Sequence, residues 1–192
     1  MTDATAAGPA ATGRTVSLEV VDATNARAIT ELDWLRSLHP AMAGPVRRPD
    51  SGFDGTYAVR ASATGEVVGV LDAVQLSGYP GVVSVSMYTD TNRARGGWAM
   101  EGYGLLVALL FRSGARLIHH EVLALNRPIQ RIMRGIGVEP CAVYRDHGYA
   151  AGRLWDVHVF SYDRERWERV LREVMPRNPI APPAPAARRG SR

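Results

Sequence analysis

The chain has 192 residues, of which 46% are hydrophobic and 22% charged, and it carries a formal net charge of +4. This length and composition are typical of one soluble globular domain with tails. No run reaches the roughly 18 apolar residues that a membrane helix needs, and the N-terminus lacks the basic start and apolar run of a secretory signal. We therefore expect a cytoplasmic protein with no membrane partner.

The basic residues and the single cysteine exclude further classes of function. All 23 basic residues are arginine, and they are scattered without a recognisable nucleic-acid-binding module, so no nucleic-acid partner is expected. Cys141 alone can form neither an intramolecular disulfide nor a cysteine-cluster metal site, and a lone thiol is typical of a small buried residue. His119 and His120 are adjacent and should point to opposite faces of a strand, so no metal site is expected.

The chain divides into a tail, a body and a second tail. Residues 1–14 are rich in Ala, Thr and Gly and residues 176–192 in Pro and Ala, and both segments are predicted to be disordered. A single domain then spans residues 15–175. It begins with the strand "VSLEVVD" and the helix "ATNARAITELDWLRSLH", which Thr24 or Asn25 could cap. The Pro- and Gly-rich stretch that follows predicts a loop.

Three consecutive strands come next: "TYAVRAS", "GEVVGVLDAVQLSG" and "GVVSVSMYTD". A glycine loop leads into a helix from Trp98 to Ser113. "ARLIHHEVLAL" predicts a strand, and "NRPIQRIMRGIG" predicts a short helix with Asn126 at its cap. Two further strands turn at His147-Gly148 or at Ala151-Gly152, and "RERWERVLREV" predicts a terminal helix. This order predicts an α/β (α+β) domain with a mixed, mostly antiparallel central sheet flanked by helices.

The loop "RARGGWA", between a strand and a helix, is a candidate anion site. A helix N-terminus offers unpaired N–H groups and a partial positive charge, glycines allow close approach, and arginines add charge-assisted hydrogen bonds. The loop lacks the lysine of the GxxxxGK[ST] motif and the spacing of the GxGxxG motif. On its own, it could equally be a plain strand-to-helix turn.

The order of elements, this loop and the later "HHEVLALNRPIQRIMRGIGV" together resemble the GNAT superfamily of acyl-CoA-dependent N-acyltransferases, over roughly residues 15–170. The helix start "GWAME" is most similar to the branch that includes the ribosomal-protein N-terminal acetyltransferases. In the family, a (Q/R)xxGx(G/A) loop holds the pyrophosphate of CoA. The best register places Gly97 and Ala99 at the small positions and Ala94 where Gln or Arg is usual. The resemblance implies that the following residues bind CoA there: Arg95, Gly96, Gly97, Trp98, Ala99 and Met100.

The resemblance also implies roles for residues on the neighbouring strands. The strand before the loop pairs its backbone with the pantetheine arm and can stabilise the oxyanion, a role that falls on Met87, Tyr88 and Thr89. Asn126 matches an asparagine that contacts pantetheine. Glu121 matches a glutamate that is the general base in some members. For Glu121, a solvated strand carboxylate remains an equal alternative.

One position departs from the family pattern. Many members place a tyrosine seven residues after the asparagine, where it protonates the leaving thiolate, but this chain has Met133. Tyr144 and Cys141 are candidate substitutes. Arg131 and Arg134, on the same short helix, are expected to be solvated, with contact to the 3′-phosphate of CoA as the alternative.

The resemblance implies an N-acyltransferase that moves an acetyl group from acetyl-CoA to a primary amine by direct attack in a ternary complex, without a metal. The acceptor is a small molecule or a protein N-terminus, bound near the loop that contains Asp50, Phe53 and Asp54. A homodimer is one possible assembly. The alternatives are a non-catalytic or regulatory acyl-CoA-binding protein on the same fold, an O-acyltransferase, and a plain interaction module.

Overall fold

The computed structural model describes residues 9–38, 53–90, 92, 97–135 and 137–174. Within these ranges lie the strands β1 (Ala11–Thr12), β2 (Val16–Val20), β3 (Gly55–Ala61), β4 (Val67–Gln75), β5 (Val82–Thr89), β6 (Leu117–Leu123), β7 (Pro140–Ala150) and β8 (Arg153–Asp163). The helices are α1 (Ala26–Thr30), α2 (Asp33–Leu38), α3 (Trp98–Arg112), α4 (Arg127–Gly135) and α5 (Arg164–Val174). The predicted α/β class is confirmed. Residues 1–8 and 176–192 of the predicted tails lie outside the described ranges.

The described strands form one sheet in the order β1-β2-β3-β4-β5-β6-β8-β7. Every neighbouring pair is antiparallel except β5 and β6, which run parallel. A parallel pair needs a crossover connection, and α3 provides it here. Because β5 and β6 run in the same direction, α3 and α4, which follow them, both begin at the same edge of the sheet.

The sheet buries side chains on both faces. The larger hydrophobic cluster lies on the side of α3 and α5 and includes Leu106 and Phe160. A smaller cluster packs Ile29 of α1 and Leu35 of α2 against Val70 of β4. Successive residues of a strand point to opposite sides, and β3 and β4 contribute buried residues to both clusters. We call the two sides the α3 face and the α1 face.

The single helix predicted after β2 is wrong, because the structure has two short helices there. Helix α1 ends at Thr30, with Glu31 as its C-cap residue, and α2 begins at Asp33. In a continuous helix, Ile29 and Leu35 would lie about 120° apart around the axis. The break lets both residues pack on the same face of the sheet. Asn25 occupies the predicted cap position, but its side chain makes no cap hydrogen bond to the helix.

The fold begins earlier than predicted. Strand β1 falls inside the segment predicted to be disordered and pairs with β2 in the register Ala11↔Leu18. Glu101, in the first turn of α3, is only 9% exposed. Its carboxylate accepts hydrogen bonds from the backbone N–H groups of Arg14 and Thr15 and from the Thr15 hydroxyl. This long-range contact ties the start of the chain to the start of α3.

The hairpin of β7 and β8 turns at Ala151-Gly152, the second of the two predicted positions. Both residues have positive φ, 50° and 78°, as a tight two-residue hairpin turn requires. Strand β7 lies at one edge of the described sheet, and β1 lies at the other. None of the described helices is both long enough and apolar enough to cross a membrane.

Candidate active site

The central feature of the site is the divergence of β5 and β6. Their register contains three residue pairs and ends at Ser84↔His119. Strand β5 nevertheless continues to Thr89 and β6 to Leu123. Beyond the last pair, the two strands separate and leave a gap that opens towards the edge where α3 and α4 begin. We call this gap the wedge.

Backbone groups of β5 line one side of the wedge. Val82 and Asp90 use their backbone groups to bond to the β4 side of the sheet. Successive residues of a strand present these groups to opposite neighbours, so Val85, Met87 and Thr89 present theirs to the wedge. The role predicted for the backbone of Met87 and Thr89 requires this orientation. Tyr88 pairs with β4 instead, and its side chain packs on the α1 face against the smaller cluster.

His120 closes the narrow end of the wedge. Its Nδ1 lies 2.9 Å from the carbonyl oxygen of Val85, and a carbonyl can only accept, so Nδ1 carries the proton. The ring is 8% exposed and packs edge-on against Tyr103. Burial lowers the pKa of His120, against the opposing effect of the Val85 bond, so the ring is neutral. Met87 is the next residue of β5 that faces the wedge, and it has no ladder partner on that side among the described strands.

The N-terminus of α3 presents unpaired donors. Gly97 is the N-cap residue, with φ 86° in the left-handed region, and no side chain caps the helix. The N–H groups of the first turn, at Trp98, Ala99 and Met100, therefore have no intrahelical partner. No described residue lies within 4 Å of the position that a Cβ on Gly97 would occupy, so the described part of the chain leaves the approach to these donors open. Arg95 and Gly96, predicted to act with them, lie outside the described residues.

Asn126 stands at the start of α4, as predicted. Its Oδ1 accepts from the N–H of Ile129 at 3.4 Å, and its backbone carbonyl accepts from Gln130 at 3.2 Å. The side chain is exposed, and its Nδ2 group has no partner among the described residues. One amide group thus caps the helix and keeps a donor for a ligand.

Glu121 lies on the α1 face of β6, beside the wedge. Its side chain is exposed, whereas its neighbour Val122 points into the core on the α3 face. Glu121 makes no ion pair with any described residue. A carboxylate in this position is accessible to an amine that approaches the wedge from the α1 face.

A chain of hydrogen bonds runs beside Glu121 on the same face. Nδ1 of His119 lies 3.0 Å from the hydroxyl of Ser161, which lies 3.2 Å from Sγ of Cys141. The predicted burial of Cys141 is wrong: the thiol is exposed, because β7 is the edge strand. Sequence reasoning singled out His119 and Cys141 but missed Ser161, since only the pairing of β6 with β8 and β7 brings the three together. His119 and His120 do point to opposite faces, as predicted.

Met133 is 4% exposed and packs in the main core, so the usual position of the tyrosine acid offers no proton donor. Two phenols lie on the α1 face instead. Tyr144 is 46% exposed on the outer strand. Burial, and then the negative charge of Asp72, raises the pKa of Tyr88, and a hydrogen bond with Ser86 opposes this effect.

The predicted acceptor loop is mostly outside the described residues, Asp50 included. Of its described members, Phe53 packs against the main core, and Oδ1 of Asp54 accepts from the N–H of Gln75 at 2.6 Å. Both residues therefore contribute to the fold. Within the described ranges, no three His, Cys, Asp or Glu side chains are grouped closely enough to hold a metal ion.

Comparisons with family models and with curated protein sequences give no match. Solved structures do match. A GCN5-related N-acetyltransferase from Brucella melitensis superposes with a TM-score of 0.64 at 21% identity, over 84% of this chain and 81% of that one. RimJ of Mycobacterium smegmatis, in complex with CoA-disulfide, gives a TM-score of 0.65 at 16% identity, over 89% and 94% of the two chains.

A third match is a ribosomal-protein-S5-alanine acetyltransferase from Vibrio fischeri, with a TM-score of 0.62 at 12% identity, over 80% of this chain and 96% of that one. These identities are low, so the matches establish architecture alone. The similarity extends over most of the length of both partners in each comparison. Together with the divergent parallel strands and the two helices at one edge, it shows that this chain has the fold of the GCN5-related N-acetyltransferases.

Proposed function

We propose that the protein is an N-acyltransferase that moves an acetyl group from acetyl-CoA to a primary amine by direct attack in a ternary complex. The observation that carries this proposal is the wedge, with its unpaired backbone groups on β5 and two helix N-termini at its open edge. An extended amide chain with a pyrophosphate at one end needs such a strand edge and such donors. CoA complexes among structures of this fold support the choice of ligand.

Binding is assigned to residues that border the wedge. The backbone of Met87 and Thr89 would pair with the amides of the pantetheine arm, and Nδ2 of Asn126 would donate to one of its carbonyls. The N–H groups of Trp98, Ala99 and Met100 would meet the pyrophosphate, and Gly97 would allow it to approach. Arg95 and Gly96 remain part of this proposed site.

The chemistry requires a deprotonated amine and a polarised thioester carbonyl. Glu121 would accept the proton of the amine, directly or through one water. The N–H of Met87 would donate to the carbonyl oxygen as it gains negative charge. The new C–N bond forms as the C–S bond breaks, and the thiolate takes a proton from Tyr88 or from water.

The residues of the site indicate the class of the acceptor less directly than they indicate the cofactor. The matches to ribosomal-protein acetyltransferases support a protein N-terminus. The sequence shows no pattern that indicates an acidic or an extended peptide groove, which favours a small amine. We propose the small amine first and the protein N-terminus second, and both enter the same assay.

The deciding experiment is calorimetric titration with acetyl-CoA, with desulfo-CoA and longer acyl-CoAs in parallel. Micromolar binding supports the ligand assignment, and thiol release with a panel of amines and N-terminal peptides then tests catalysis. If none of the CoA compounds binds, the proposal is wrong.

A second function, a non-catalytic or regulatory acyl-CoA-binding protein, is favoured by one observation. Met133 lies in the core where many members of the family carry a catalytic tyrosine. Tight binding of acetyl-CoA without thiol release for any acceptor in the panel would select this second function. An ester linkage in the product would instead select O-acylation.

A further inference from the structure

His120 stands at the point where β5 and β6 stop pairing. The last pair of their ladder is Ser84↔His119, and Val85 and His120 are the next residue on each strand. In a continuing parallel ladder, the carbonyl of Val85 would accept from a backbone N–H of β6. Here it accepts from Nδ1 of His120, at 2.9 Å, instead. A backbone group that faces the wedge thus holds the imidazole at the narrow end of the wedge.

The same bond leaves the second ring nitrogen of His120 as a proton acceptor. A carbonyl only accepts, so Nδ1 carries the proton and Nε2 carries a lone pair. Among the described residues, Nε2 has no hydrogen-bond partner. It is not enclosed either, because the described side-chain nitrogens and oxygens that are both buried and unpartnered belong to Trp34, His158 and Trp167. The ring is 8% exposed and the wedge is the opening beside it, so Nε2 reaches the space assigned to the thioester.

The surroundings of the ring make a protonated imidazole unfavourable. Tyr103 of α3 packs edge-on against the ring, with centroids 5.5 Å apart, and Phe160 is its ladder partner on β8. The hydroxyl of Tyr103 pairs with that of Tyr162, and burial raises the pKa of both phenols, so both are uncharged at neutral pH. Burial lowers the pKa of His120, the Val85 bond opposes it, and no charged side chain of the described residues contributes. An imidazolium formed here would readily give its proton to a neighbouring base.

Amide formation requires the acceptor ammonium to lose two protons. Glu121 is assigned the first, and its removal produces the attacking amine. The nitrogen of the tetrahedral intermediate still carries a second excess proton, and the sulfur leaves as a thiolate that needs one. Because both atoms are bonded to the same carbon, one proton acceptor beside that carbon can reach them in turn. The proposed mechanism leaves the source of the thiolate's proton open between Tyr88 and water.

The reacting carbon lies next to His120 in the proposed complex. The N–H of Met87, assigned to the oxyanion, is the next group of β5 that faces the wedge after the carbonyl of Val85. That carbonyl is the one that holds Nδ1 of His120. A thioester oxygen bound to the Met87 N–H therefore brings its carbon and sulfur close to the imidazole ring.

Resting on the proposed function, we infer that His120 is the proton shuttle of the acyl transfer. Its Nε2 takes the second proton from the nitrogen of the tetrahedral intermediate and delivers it to the sulfur as the C–S bond breaks. The products are the amide and the thiol of CoA, and the ring returns to its neutral form. The two protons are thus handled on opposite faces of β6, the first by Glu121 on the α1 face and the second by His120 on the α3 face.

The test compares acetyl-CoA with acetyl-seleno-CoA in single-turnover reactions of the full chain, with n-butylamine and the tripeptide Ala-Ala-Ala as probe acceptors. A selenol is a much stronger acid than a thiol, so a selenolate leaves without a proton. In His120→Asn, the side-chain amide can still donate to Val85, but it cannot carry a proton. We expect this variant to react with acetyl-CoA about a hundredfold more slowly or worse, as removal of a general acid–base group does. Its reaction with the selenoester and its calorimetric affinity for acetyl-CoA should change little.

Two further variants serve as controls. Glu121→Gln removes the proposed amine base, which both compounds need, so it should slow both about equally. His158→Asn removes a histidine from the neighbouring strand, where His158 pairs with Val122. It should leave the ratio of the two rates as it is in the unmodified protein. Thermal unfolding of each variant verifies that the fold is intact.

A second measurement needs no variant. Ionisation of Glu121 and of the acceptor amine affects both compounds alike, so the ratio of the acetyl-CoA rate to the selenoester rate isolates His120. Nε2 can take a proton only while the ring is neutral. This ratio should therefore fall as the pH drops through the pKa of His120, which burial holds below its usual value of 6.5. A ratio that stays constant or rises overturns the shuttle, whether or not His120→Asn folds.

The outcomes separate the two proposals. A His120→Asn loss that is equal for both compounds, or no loss with acetyl-CoA, overturns the shuttle and leaves the proposed function standing. If the unmodified protein does not bind acetyl-CoA, or binds it without transfer to any acceptor, the proposed acyl transfer and the shuttle are both wrong.

Discussion

Gly97 allows the proposed pyrophosphate site to be tested through two substitutions that differ only in charge and size. The residue is the N-cap of α3 and has φ 86°. An L-residue in this left-handed conformation costs about 1–2 kcal/mol. No described residue lies within 4 Å of an added Cβ, so the described part of the chain adds no clash to that cost. Gly97→Ala should therefore lower the melting temperature by about 2–8 °C, the range expected for a domain of this size.

Gly97→Glu shares the backbone strain and adds a negative charge at the helix start. At about 6 Å and an effective dielectric constant of about 40, repulsion from one phosphate charge is about 1.4 kcal/mol, or tenfold in affinity. The Glu variant should thus bind acetyl-CoA at least about tenfold more weakly than the Ala variant. Because salt screens exposed charges, the ratio between them should shrink as the salt rises from about 0.05 M to about 0.5 M.

Calorimetry with acetyl-CoA at both salt concentrations measures this ratio, and thermal unfolding provides the stability of each variant. The comparison of Glu with Ala removes the contribution of backbone strain, which the two variants have in common. Equal affinities of the two variants at low salt would mean that the pyrophosphate does not lie at the N-terminus of α3. The stretch between β5 and α3 would then be a turn and nothing more.

Three further predictions concern the base, the packing of α3 and the buried histidine. Glu121→Gln should reduce turnover by about a hundredfold or more with acetyl-CoA affinity unchanged; equal turnover would remove Glu121 as the base. A Cβ on Gly102 would lie 2.7 Å from Cγ1 of Val59. Gly102→Ala should therefore destabilise the protein by about 1–3 kcal/mol, despite the better helix propensity of Ala. In a double-mutant cycle, adding Val59→Ala should recover part of this loss. Burial in the folded protein holds the pKa of His120 below its usual value. As the pH drops below about 6.5, the unfolded chain therefore takes up a proton before the folded protein does. The free energy of unfolding should then fall by up to about 1.4 kcal/mol per pH unit. His120→Gln should flatten that dependence in melting curves recorded between neutral and acidic pH, and an unchanged slope would assign it to other groups.

Local patterns in the sequence were sufficient for the elements that position the site. The predicted helix from Trp98 to Ser113 matches α3 (Trp98–Arg112), because a glycine turn and a long apolar run are both short-range signals. Asn126 was correctly placed at the start of α4 for the same reason. The starts of these two helices, together with the three strands between residues 55 and 89, were enough to predict the fold class.

Local sequence patterns do not predict which distant segments of the chain come into contact. The wedge exists because β5 and β6 stop pairing at Ser84↔His119, and no local pattern marks that point. Cys141 was expected to be buried, since sequence reasoning could not tell that its strand lies at the edge of the sheet.

The hydrogen bonds from Arg14 and Thr15 to the Glu101 carboxylate limit how far the N-terminus can be shortened. A protein shortened to residue 9 keeps β1 and both backbone donors of the carboxylate. Cutting beyond Thr15 would leave a buried carboxylate with its donors removed, which costs several kcal/mol. Since that carboxylate is in the first turn of α3, the loss of its donors would disturb the N-terminus of α3, where the pyrophosphate is proposed to bind. Shortened forms should therefore lose affinity for CoA before they lose their overall shape, and affinity tags are best attached upstream of residue 9.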